Sequence, residues 1–332
     1  MNIVIRADAY PEIGTGHLMR SLALGQAFKD CGWRVTFVTY CESPGLIARL
    51  SAPEEGFDVL LLKDKSDTAL PPHKNSWAVA DGVAFDSRLH KSMKDAGYKL
   101  LIIDDMAALD FYHGDIILNQ NLHAHSLRYN HKDGTRLLLG SDYILLRREF
   151  MRQMGIKKII TDKCINILIT LGGADRENFT QKVLNSIKTL RDIKITVVVG
   201  AGNPNIESIK TVKTTAPVTI IQSVNDMAGA MASQDVAITS GGTTVWELAF
   251  MGIPSVVGRI APIEDYLVEG LNRLGLFIDC GWFKTATEDE IRGNLLKLSA
   301  NMKLRKEMSA LAQRLVDGHG RDRVIEAMRA RT

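Results

Sequence analysis

"EIGTGHLMR", residues 12–20, joins an apolar run, "MNIVIRADAY", to a helical pattern, "HLMRSLALGQAFKDCG". The first run is typical of a buried strand, and the second begins with His17 just after two glycines. A strand that passes through a short glycine turn into a helix is the repeating unit of a parallel sheet covered by helices. The stretch therefore predicts an α/β fold. It leaves open whether the turn is a phosphate cradle, a catalytic site or only a tight connection.

The same unit recurs along the chain in two series. Short apolar runs typical of buried strands form a first series at residues 2–7, 34–40, 58–63, 77–81, 99–105 and 115–120. They form a second series at residues 164–173, 194–200, 218–224, 235–242 and 253–258. Helical patterns such as 17–31 and 86–96 lie between several of these runs, and only helical patterns follow residue 287. We therefore predict two doubly wound, Rossmann-like α/β domains.

A charged stretch without a clear strand, "LRREFMRQMGIKKIITDK" (146–163), separates the two series. We predict a first domain over 1–150, a linker over 151–163 and a second domain over 164–318, followed by a terminal helix over 319–332. Ligands of open parallel sheets bind beyond the carboxyl ends of the strands. The strand-to-helix turns of both domains are therefore expected to face a cleft between them.

The composition narrows the class of protein. The 332 residues are 45% hydrophobic and 24% charged, which is an ordinary globular balance, and the formal net charge is +3. This charge gives no argument for binding nucleic acid or a membrane. The four cysteines have no metal-type spacing, which indicates reduced thiols. Because no signal-peptide pattern and no apolar run of about 20 residues occurs, we expect a cytoplasmic protein without a membrane span.

Two further glycine turns follow strands of the second series, "TLGGAD" (170–175) and "TSGGTTVWELAF" (239–250). Glycines at such turns let backbone N–H groups approach an anion, and a following helix adds partial positive charge. Ser240, Thr243 and Thr244 would add hydroxyl donors, and Glu247 could accept both hydroxyls of a ribose. This pattern indicates a nucleoside diphosphate. The alternative is a tight connection in which Thr243 caps the helix and Glu247 lies on its surface.

The sequence motifs do not support other kinds of nucleotide site or a metal site. The chain has no GxxxxGK[ST] motif, which excludes a P-loop NTPase. The turn at 14–17 lacks the third glycine of a dinucleotide fingerprint and has His17 where pyrophosphate would pack, which argues against a dehydrogenase. His123 and His125 have no acidic or cysteine partner at a ligand spacing. We therefore expect neither a metal nor a cofactor.

The segment "IRADAYPEIGTGHLMRSLALGQAFKDCG" (5–32) resembles the opening of the UDP-sugar hydrolases of the pseudaminic acid pathway and of the related spore coat polysaccharide proteins. In that family an Arg-Ala-Asp segment precedes Gly-x-Gly-His-x-x-Arg. Later segments fit the same family in order, namely "LIIDDMA" (101–107), "ILNQNLHA" (117–124), "LGSDYILLRREF" (139–150) and "ITLGGAD" (169–175). Residues 224–257 also resemble the nucleotide-binding stretch of the lipid-II-forming N-acetylglucosaminyltransferase.

The resemblance implies a GT-B architecture, with UDP held by the second domain, the sugar reaching the first, and the final helix packing back on the first domain. It implies that His17 takes a proton from water, that Asp8 orients the imidazole or holds the sugar, and that Arg6 and Arg20 pair with Asp8. Substrate contacts are then expected from Arg6, Gly14, Thr15, Gly16, Arg20 and Asp265. Nucleotide contacts are expected from Gly172, Gly173, Val224, Ser240, Gly241, Gly242, Thr243, Thr244 and Glu247.

The chain departs from the family pattern at two places near the sugar or the diphosphate. Val83 stands where the family has a tyrosine, and Glu264, Asp265 and Tyr266 replace a Glu-Asn-Gln segment. The leading prediction is a monomeric hydrolase that splits the anomeric C–O bond of a UDP-sugar and releases UDP and a free amino or deoxy sugar for surface-glycan biosynthesis. A GT-B glycosyltransferase with a UDP-sugar donor and a non-catalytic nucleotide-sugar binding protein remain the alternatives.

Overall fold

The computed structural model of the protein describes residues 1–68, 70–71 and 76–331. The chain folds into two compact units, Met1–Arg148 together with Gly318–Thr332, and Glu149–Asp317. Each unit is built on one parallel β-sheet with helices packed on it, which confirms the predicted α/β class. Within the described ranges we find no helix with the length and apolarity that a membrane crossing requires.

The first unit contains a seven-stranded sheet. Its strands are β1 (Asn2–Ala7), β2 (Arg34–Thr39), β3 (Asp58–Leu61), β4 (Trp77–Asp81), β5 (Lys99–Ile103), β6 (Ile116–Asn119) and β7 (Arg136–Leu139). They run parallel in the order β3-β2-β1-β4-β5-β6-β7, so β4 lies directly beside β1. The helices of this part of the chain are α1 (Gly16–Asp30), α2 (Pro44–Leu50) and α3 (Ser87–Asp95).

Alternate side chains of β1 enter the cores on the two faces of this sheet. Ile3 and Ile5 lie on one face, in a cluster that includes Leu22 of α1. Val4 lies on the other face, in a cluster that includes Met93 of α3. All five side chains are almost completely buried. A strand in the middle of a parallel sheet is covered on both faces, and this is why β1 is apolar at consecutive positions.

The second unit contains a six-stranded sheet. Its strands are β8 (Asn166–Thr170), β9 (Lys194–Val199), β10 (Val218–Gln222), β11 (Val236–Ser240), β12 (Ser255–Arg259) and β13 (Ile278–Trp282). They run parallel in the order β10-β9-β8-β11-β12-β13. The helices are α4 (Arg148–Met151) at the unit boundary, α5 (Phe179–Ile187), α6 (Ile206–Lys210), α7 (Met227–Ala232), α8 (Thr244–Phe250), α9 (Asp265–Arg273), α10 (Glu288–Ala300) and α11 (Met302–Leu315).

The last helix, α12 (Gly320–Arg329), is part of the first unit. Its Val324 and Met328 are buried in the same cluster as Ile3 and Ile5. The helix starts so close to the chain before α4 that a Cβ atom at Gly320 would come within 2.2 Å of a backbone carbonyl oxygen. Glycine is therefore required at this contact.

The stretch predicted as a linker, 151–163, is grouped with the second unit and held along α11. The side-chain amide of Gln313 donates to the carbonyl oxygen of Ile156 at 2.9 Å. The buried guanidinium of Arg305 donates to two further carbonyl oxygens of the stretch. These bonds fix the course of the backbone, although the stretch has almost no regular secondary structure.

All eleven predicted strands are present, and the structure adds β7 and β13. Both additional strands lie at sheet edges. Most side chains of β7 and β13 remain partly exposed, and Gly281 in β13 has the left-handed φ of +73°. Edge strands of this kind lack the continuous apolar run by which the central strands were predicted.

Candidate active site

The turn between β1 and α1 presents His17 at the carboxyl edge of the first sheet. The N–H groups of Ile13 and Gly14 both donate to the Tyr10 carbonyl oxygen, at 3.1 and 3.0 Å. Gly14 has a φ of +72°, a left-handed conformation that glycine adopts without strain. The reversal of the chain lets α1 begin at Gly16, so that His17 lies in its first turn. The residues before His17 therefore shape the turn that positions it.

A hydrogen bond of 2.7 Å joins Nδ1 of His17 to Oδ1 of Asp81. Asp81 is the last residue of β4, and its carboxylate is fully buried. Burial by itself raises the pKa of Asp81, but Arg20 and His17 outweigh it and hold this pKa at about 2. The carboxylate is therefore ionised at neutral pH and can only accept, so Nδ1 carries the proton. In the tautomer that donates from Nδ1, the lone pair of the ring is on Nε2.

Arg20 fixes this pair from one helical turn further along α1. Its Nε donates to Asp81 Oδ2 at 2.8 Å, and its Nη1 contacts both carboxylate oxygens of Asp105 at 2.9 and 2.8 Å. Nη2 lies 2.7 Å from Asp81 Oδ1 and 3.1 Å from His17 Nδ1. Burial lowers the pKa of Arg20, but the two carboxylates outweigh it and the pKa is raised. The side-chain amide of Asn121 in turn donates to Asp105 Oδ1 at 2.7 Å.

The predicted pairing of Asp8 with both arginines is half right. Asp8 contacts the guanidinium of the buried Arg6, whereas Arg20 is taken by other carboxylates. Asp8 also accepts from the N–H of Tyr40 at 2.7 Å, which ties the end of β1 to the end of β2. The Arg6 guanidinium lies over the Phe85 ring, 4.9 Å from its centroid. Arg6 is thus buried in the interior and is not exposed for contact with a substrate.

The carboxylate that orients the imidazole is consequently Asp81, and the prediction of that role for Asp8 is wrong. Asp81 stood at the end of a predicted strand, but it is 64 residues from His17 in the chain. Only the sheet order, which places β4 beside β1 and Asp81 opposite Ala7, brings the two side chains together. An ionisable residue that ends a fully apolar strand was the available signal.

Two glycine turns of the second unit converge on the Ser240 hydroxyl. The strands that precede them, β8 and β11, are direct neighbours in the sheet. Ser240 Oγ lies 3.9 Å from the position that a Cβ atom would take at Gly172 and also 3.9 Å from that position at Gly242. Gly172 has a left-handed φ of +83°. The structure therefore combines two glycine turns and one hydroxyl at the carboxyl edge of this sheet, which is a suitable arrangement for an anion.

The two glycines after β11 have different surroundings. A Cβ atom at Gly241 would come within 2.5 Å of Val268 on α9 and within 3.0 Å of Glu264, so packing requires glycine there. A Cβ atom at Gly242 would meet nothing closer than 3.8 Å. A Cβ atom at Gly242 would therefore fit with ordinary van der Waals contacts, whereas the absence of a side chain at Gly241 serves the contact with α9.

The start of α8 does not match the alternative in which Thr243 caps the helix. Thr243 occupies the N-cap position, but its side chain makes no capping hydrogen bond. Thr244 begins the helix, and Glu247 lies in its first turn, half-buried. The two threonines are likewise only partly buried, at the turn that contains Gly242.

The remaining predicted nucleotide contacts follow two other strands. The carbonyl oxygen of Gly173 accepts from the N–H of Gly202 at 3.2 Å, and a Cβ atom at Gly200 would come within 2.3 Å of this oxygen. The turns after β8 and β9 thus meet backbone to backbone. Val224 follows β10 at the edge of the sheet and is half-buried.

A buried carboxyl group that was not predicted as part of the site lies beside Gly242. Glu264 Oε2 accepts from the N–H of Ile260 at 2.7 Å, and Oε1 is the atom 3.8 Å from the Cβ position of Gly242. Burial raises the pKa of Glu264 to about 7, against the opposing effect of backbone N–H groups and of Arg259. The next residue, Asp265, forms a 2.8 Å ion pair with Arg259. Asp265 is therefore engaged by the protein itself.

The chemistry available at these places differs between the units. The first unit offers an oriented imidazole with its lone pair on Nε2, and the second offers glycine turns with a hydroxyl. In the described ranges no three His, Cys, Asp or Glu side chains are grouped so that they could hold a metal ion.

Known proteins resemble the chain along its whole length. Residues 166–258 match the sequence model of the glycosyltransferase family 28 C-terminal domain. The spore coat polysaccharide biosynthesis protein SpsG of Bacillus subtilis is 25% identical over 335 residues, covering 98% of this chain and 96% of SpsG. The UDP-2,4-diacetamido-2,4,6-trideoxy-beta-L-altropyranose hydrolase of Campylobacter jejuni is 25% identical over 221 residues, covering 63% of this chain and 73% of that enzyme.

Among solved structures, MurG of Acinetobacter baumannii superposes with a TM-score of 0.64 at 16% identity, covering 99% of this chain and 100% of MurG. An identity this low shows the fold alone, and the fold is that of GT-B glycosyltransferases. The chain is thus similar in sequence to SpsG and to the altropyranose hydrolase, it has the GT-B fold, and its residues 166–258 match a C-terminal domain of the glycosyltransferase family 28 type.

Proposed function

We propose that the protein is a UDP-sugar hydrolase in which His17 activates the attacking water. The observation that carries this proposal is the 2.7 Å bond between His17 Nδ1 and the ionised Asp81, which leaves Nε2 as the proton acceptor. The same relation between a carboxylate, an imidazole and an attacking oxygen operates in hydrolases of several unrelated folds. The hydrolase name of the Campylobacter relative supports the reaction class.

The reaction would proceed by displacement at the anomeric carbon. Nε2 of His17 takes one proton from water, and the water oxygen forms a bond to the anomeric carbon as the bond to the diphosphate oxygen breaks. The bonding electron pair leaves with UDP, and the free sugar is released with inverted configuration. The transition state has oxocarbenium character, as in glycosidases, so a stabilised leaving group contributes much of the rate enhancement.

We assign the diphosphate to the corner formed by Gly172, Ser240 and Gly242. Glycine turns and hydroxyl groups are donors that hold phosphate oxygens without requiring a full positive charge. In the same assignment Thr243 and Thr244 supply further hydroxyls, and the carboxylate of Glu247 accepts the two ribose hydroxyls. Gly173 and Val224 then lie at the flanking turns.

A glycosyltransferase is the second candidate, and the match of residues 166–258 to a glycosyltransferase domain favours it. In that case His17 would take the proton from an acceptor hydroxyl instead of from water. The nucleotide assignment would be unchanged, because both reactions break the same bond with the same leaving group. The two functions therefore differ only in the nucleophile.

The test is to incubate the protein with a panel of UDP-sugars without acceptor, and to follow UDP release and anomeric configuration by NMR. The hydrolase predicts release with inversion, and a loss of roughly 10²–10⁴-fold in His17→Gln. His125→Gln is the matched control, because His125 is an exposed histidine outside this network. Release only after an alcohol acceptor is added would establish the transferase. Full turnover by His17→Gln would overturn the assignment of the base.

A further inference from the structure

The stretch along α11, residues 152–163, carries a concentration of exposed apolar side chains, and we call it the strap. Ile159 is 80% exposed, more than any other large apolar side chain in the described ranges, and Ile156 is 57% exposed. Met154 adds a third side chain at 37% exposure. Single exposed apolar residues are ordinary in folded proteins. Three of them within six residues form a patch whose exposure needs a physical explanation.

The exposure does not come from a loose backbone. Gln313 on α11 both accepts from the N–H of Lys158, at 3.3 Å, and donates to the carbonyl oxygen of Ile156, at 2.9 Å. Further along, the guanidinium of Arg305, which is 1% exposed, donates to the carbonyl oxygens of Thr161 and Asp162 at 3.0 Å each. The strap is therefore held to α11 at two places, and Ile159 lies between them, exposed to solvent.

Basic residues lie before, between and after these apolar residues in the sequence. Arg152, Lys157 and Lys163 are exposed, and Lys158 lies half-buried with its ammonium group 3.1 Å from the carbonyl oxygen of Ala232. The strap contains four basic residues and one acid, Asp162, so its twelve residues carry the same net charge, +3, as the entire chain. A net charge of +3 is small for 332 residues, but it is large for this one segment.

We infer that the strap docks on a membrane surface that contains anionic lipids. Isoleucine side chains that project from a fixed backbone can enter the boundary between headgroups and acyl chains, while lysine and arginine contact the anionic headgroups. A second copy of this chain is a poorer partner, because pairing two straps would bring like charges together. The strap contains neither His17 nor any residue of the glycine turns, so the inference is tested separately from the proposed reaction.

The experiment measures co-sedimentation of the full chain with vesicles. One preparation is phosphatidylcholine alone, and the other contains about one third phosphatidylglycerol. We expect the wild type to sediment with the anionic vesicles only, and to be released as added salt shortens the range of the electrostatic attraction. The double variant Ile156→Gln/Ile159→Gln should bind roughly tenfold less, because apolar side-chain burial contributes to interfacial binding.

The matched control is Leu296→Gln, which removes a 46% exposed leucine from α10 and should leave vesicle binding unchanged. Lys157→Glu/Lys163→Glu should abolish the preference for anionic vesicles. Thermal unfolding of every variant verifies that the second unit is folded. Failure of the wild type to bind anionic vesicles, or equal binding by the double isoleucine variant, overturns the inference. So does sedimentation equilibrium that shows a dimer which this variant loses.

Discussion

The substitution Asp81→Asn removes the buried charge on which the orientation of His17 depends, while it keeps the shape of the side chain. Asp81 receives bonds from His17, from Arg20 through two atoms, and from the Ser21 hydroxyl at 3.0 Å. Its pKa lies at about 2 instead of the ordinary 3.8. One pKa unit corresponds to about 1.4 kcal/mol, so the ionised carboxylate contributes on the order of 2–3 kcal/mol to folding.

The sign of the pH dependence follows from the direction of this shift. Because the pKa of Asp81 is lower in the folded protein, its contribution is complete above about pH 4 and is lost as the pH falls toward about 2. Urea unfolding at neutral pH should therefore show a loss of roughly 2–3 kcal/mol in Asp81→Asn. Below about pH 2 the wild type and the variant should converge.

The effect on turnover separates orientation from stability. An asparagine can present its side-chain NH2 group, which is a donor, to Nδ1 of His17. We therefore expect the kcat for UDP release to fall by roughly 10²–10⁴-fold. In a His17→Gln background the second substitution should have little further effect, since the two residues act as one unit. Asp105→Asn is the matched control, because Asp105 contacts Arg20 but not His17. Equal losses of kcat in both aspartate variants, or additive losses in the double variant, would contradict a shared role of Asp81 and His17.

The second unit yields three further tests. Gly241→Ala should destabilise the protein by about 1–3 kcal/mol in urea unfolding, because its Cβ would overlap Val268. Gly242→Ala should fold normally and weaken UDP binding in calorimetry. Equal stability of the two variants would contradict the packing argument. Ser240→Ala should raise the Kd for UDP by about tenfold with an unchanged midpoint of unfolding, and an unchanged Kd would remove the hydroxyl from the site. Because burial raises the pKa of Glu264 from 4.5 to about 7, the wild type should lose on the order of 3 kcal/mol of stability as the pH rises from about 4.5 through about 7. Glu264→Gln should lack this loss in urea unfolding at pH values on both sides of the interval, and a pH dependence equal to that of the wild type would argue against the raised pKa.

Local patterns in the sequence predicted the α/β class and the central strands. A strand covered on both faces must be apolar at consecutive positions, as in β1 and β4, and this requirement is visible without a structure. The glycine turns could also be predicted from the sequence, because a φ of +72° at Gly14 or +83° at Gly172 favours glycine. The edge strands β7 and β13 were missed because they are partly exposed and need no such run.

Pairings between distant residues depended on the order of the strands. The chain passes through β2 and β3 before β4 returns to the other side of β1, and this return places Asp81 beside His17 and leaves Asp8 with Arg6. Likewise, the sequence does not distinguish Gly241 from Gly242, but the packing of α9 leaves no room for a Cβ atom at Gly241, whereas a Cβ atom at Gly242 would fit. Strands, turns and helices could be predicted from the chain because they follow from local apolar periodicity and glycine conformation. The carboxylate that orients the histidine could not, because its contact with His17 depends on the order of the strands in the folded sheet, which neither segment reveals alone.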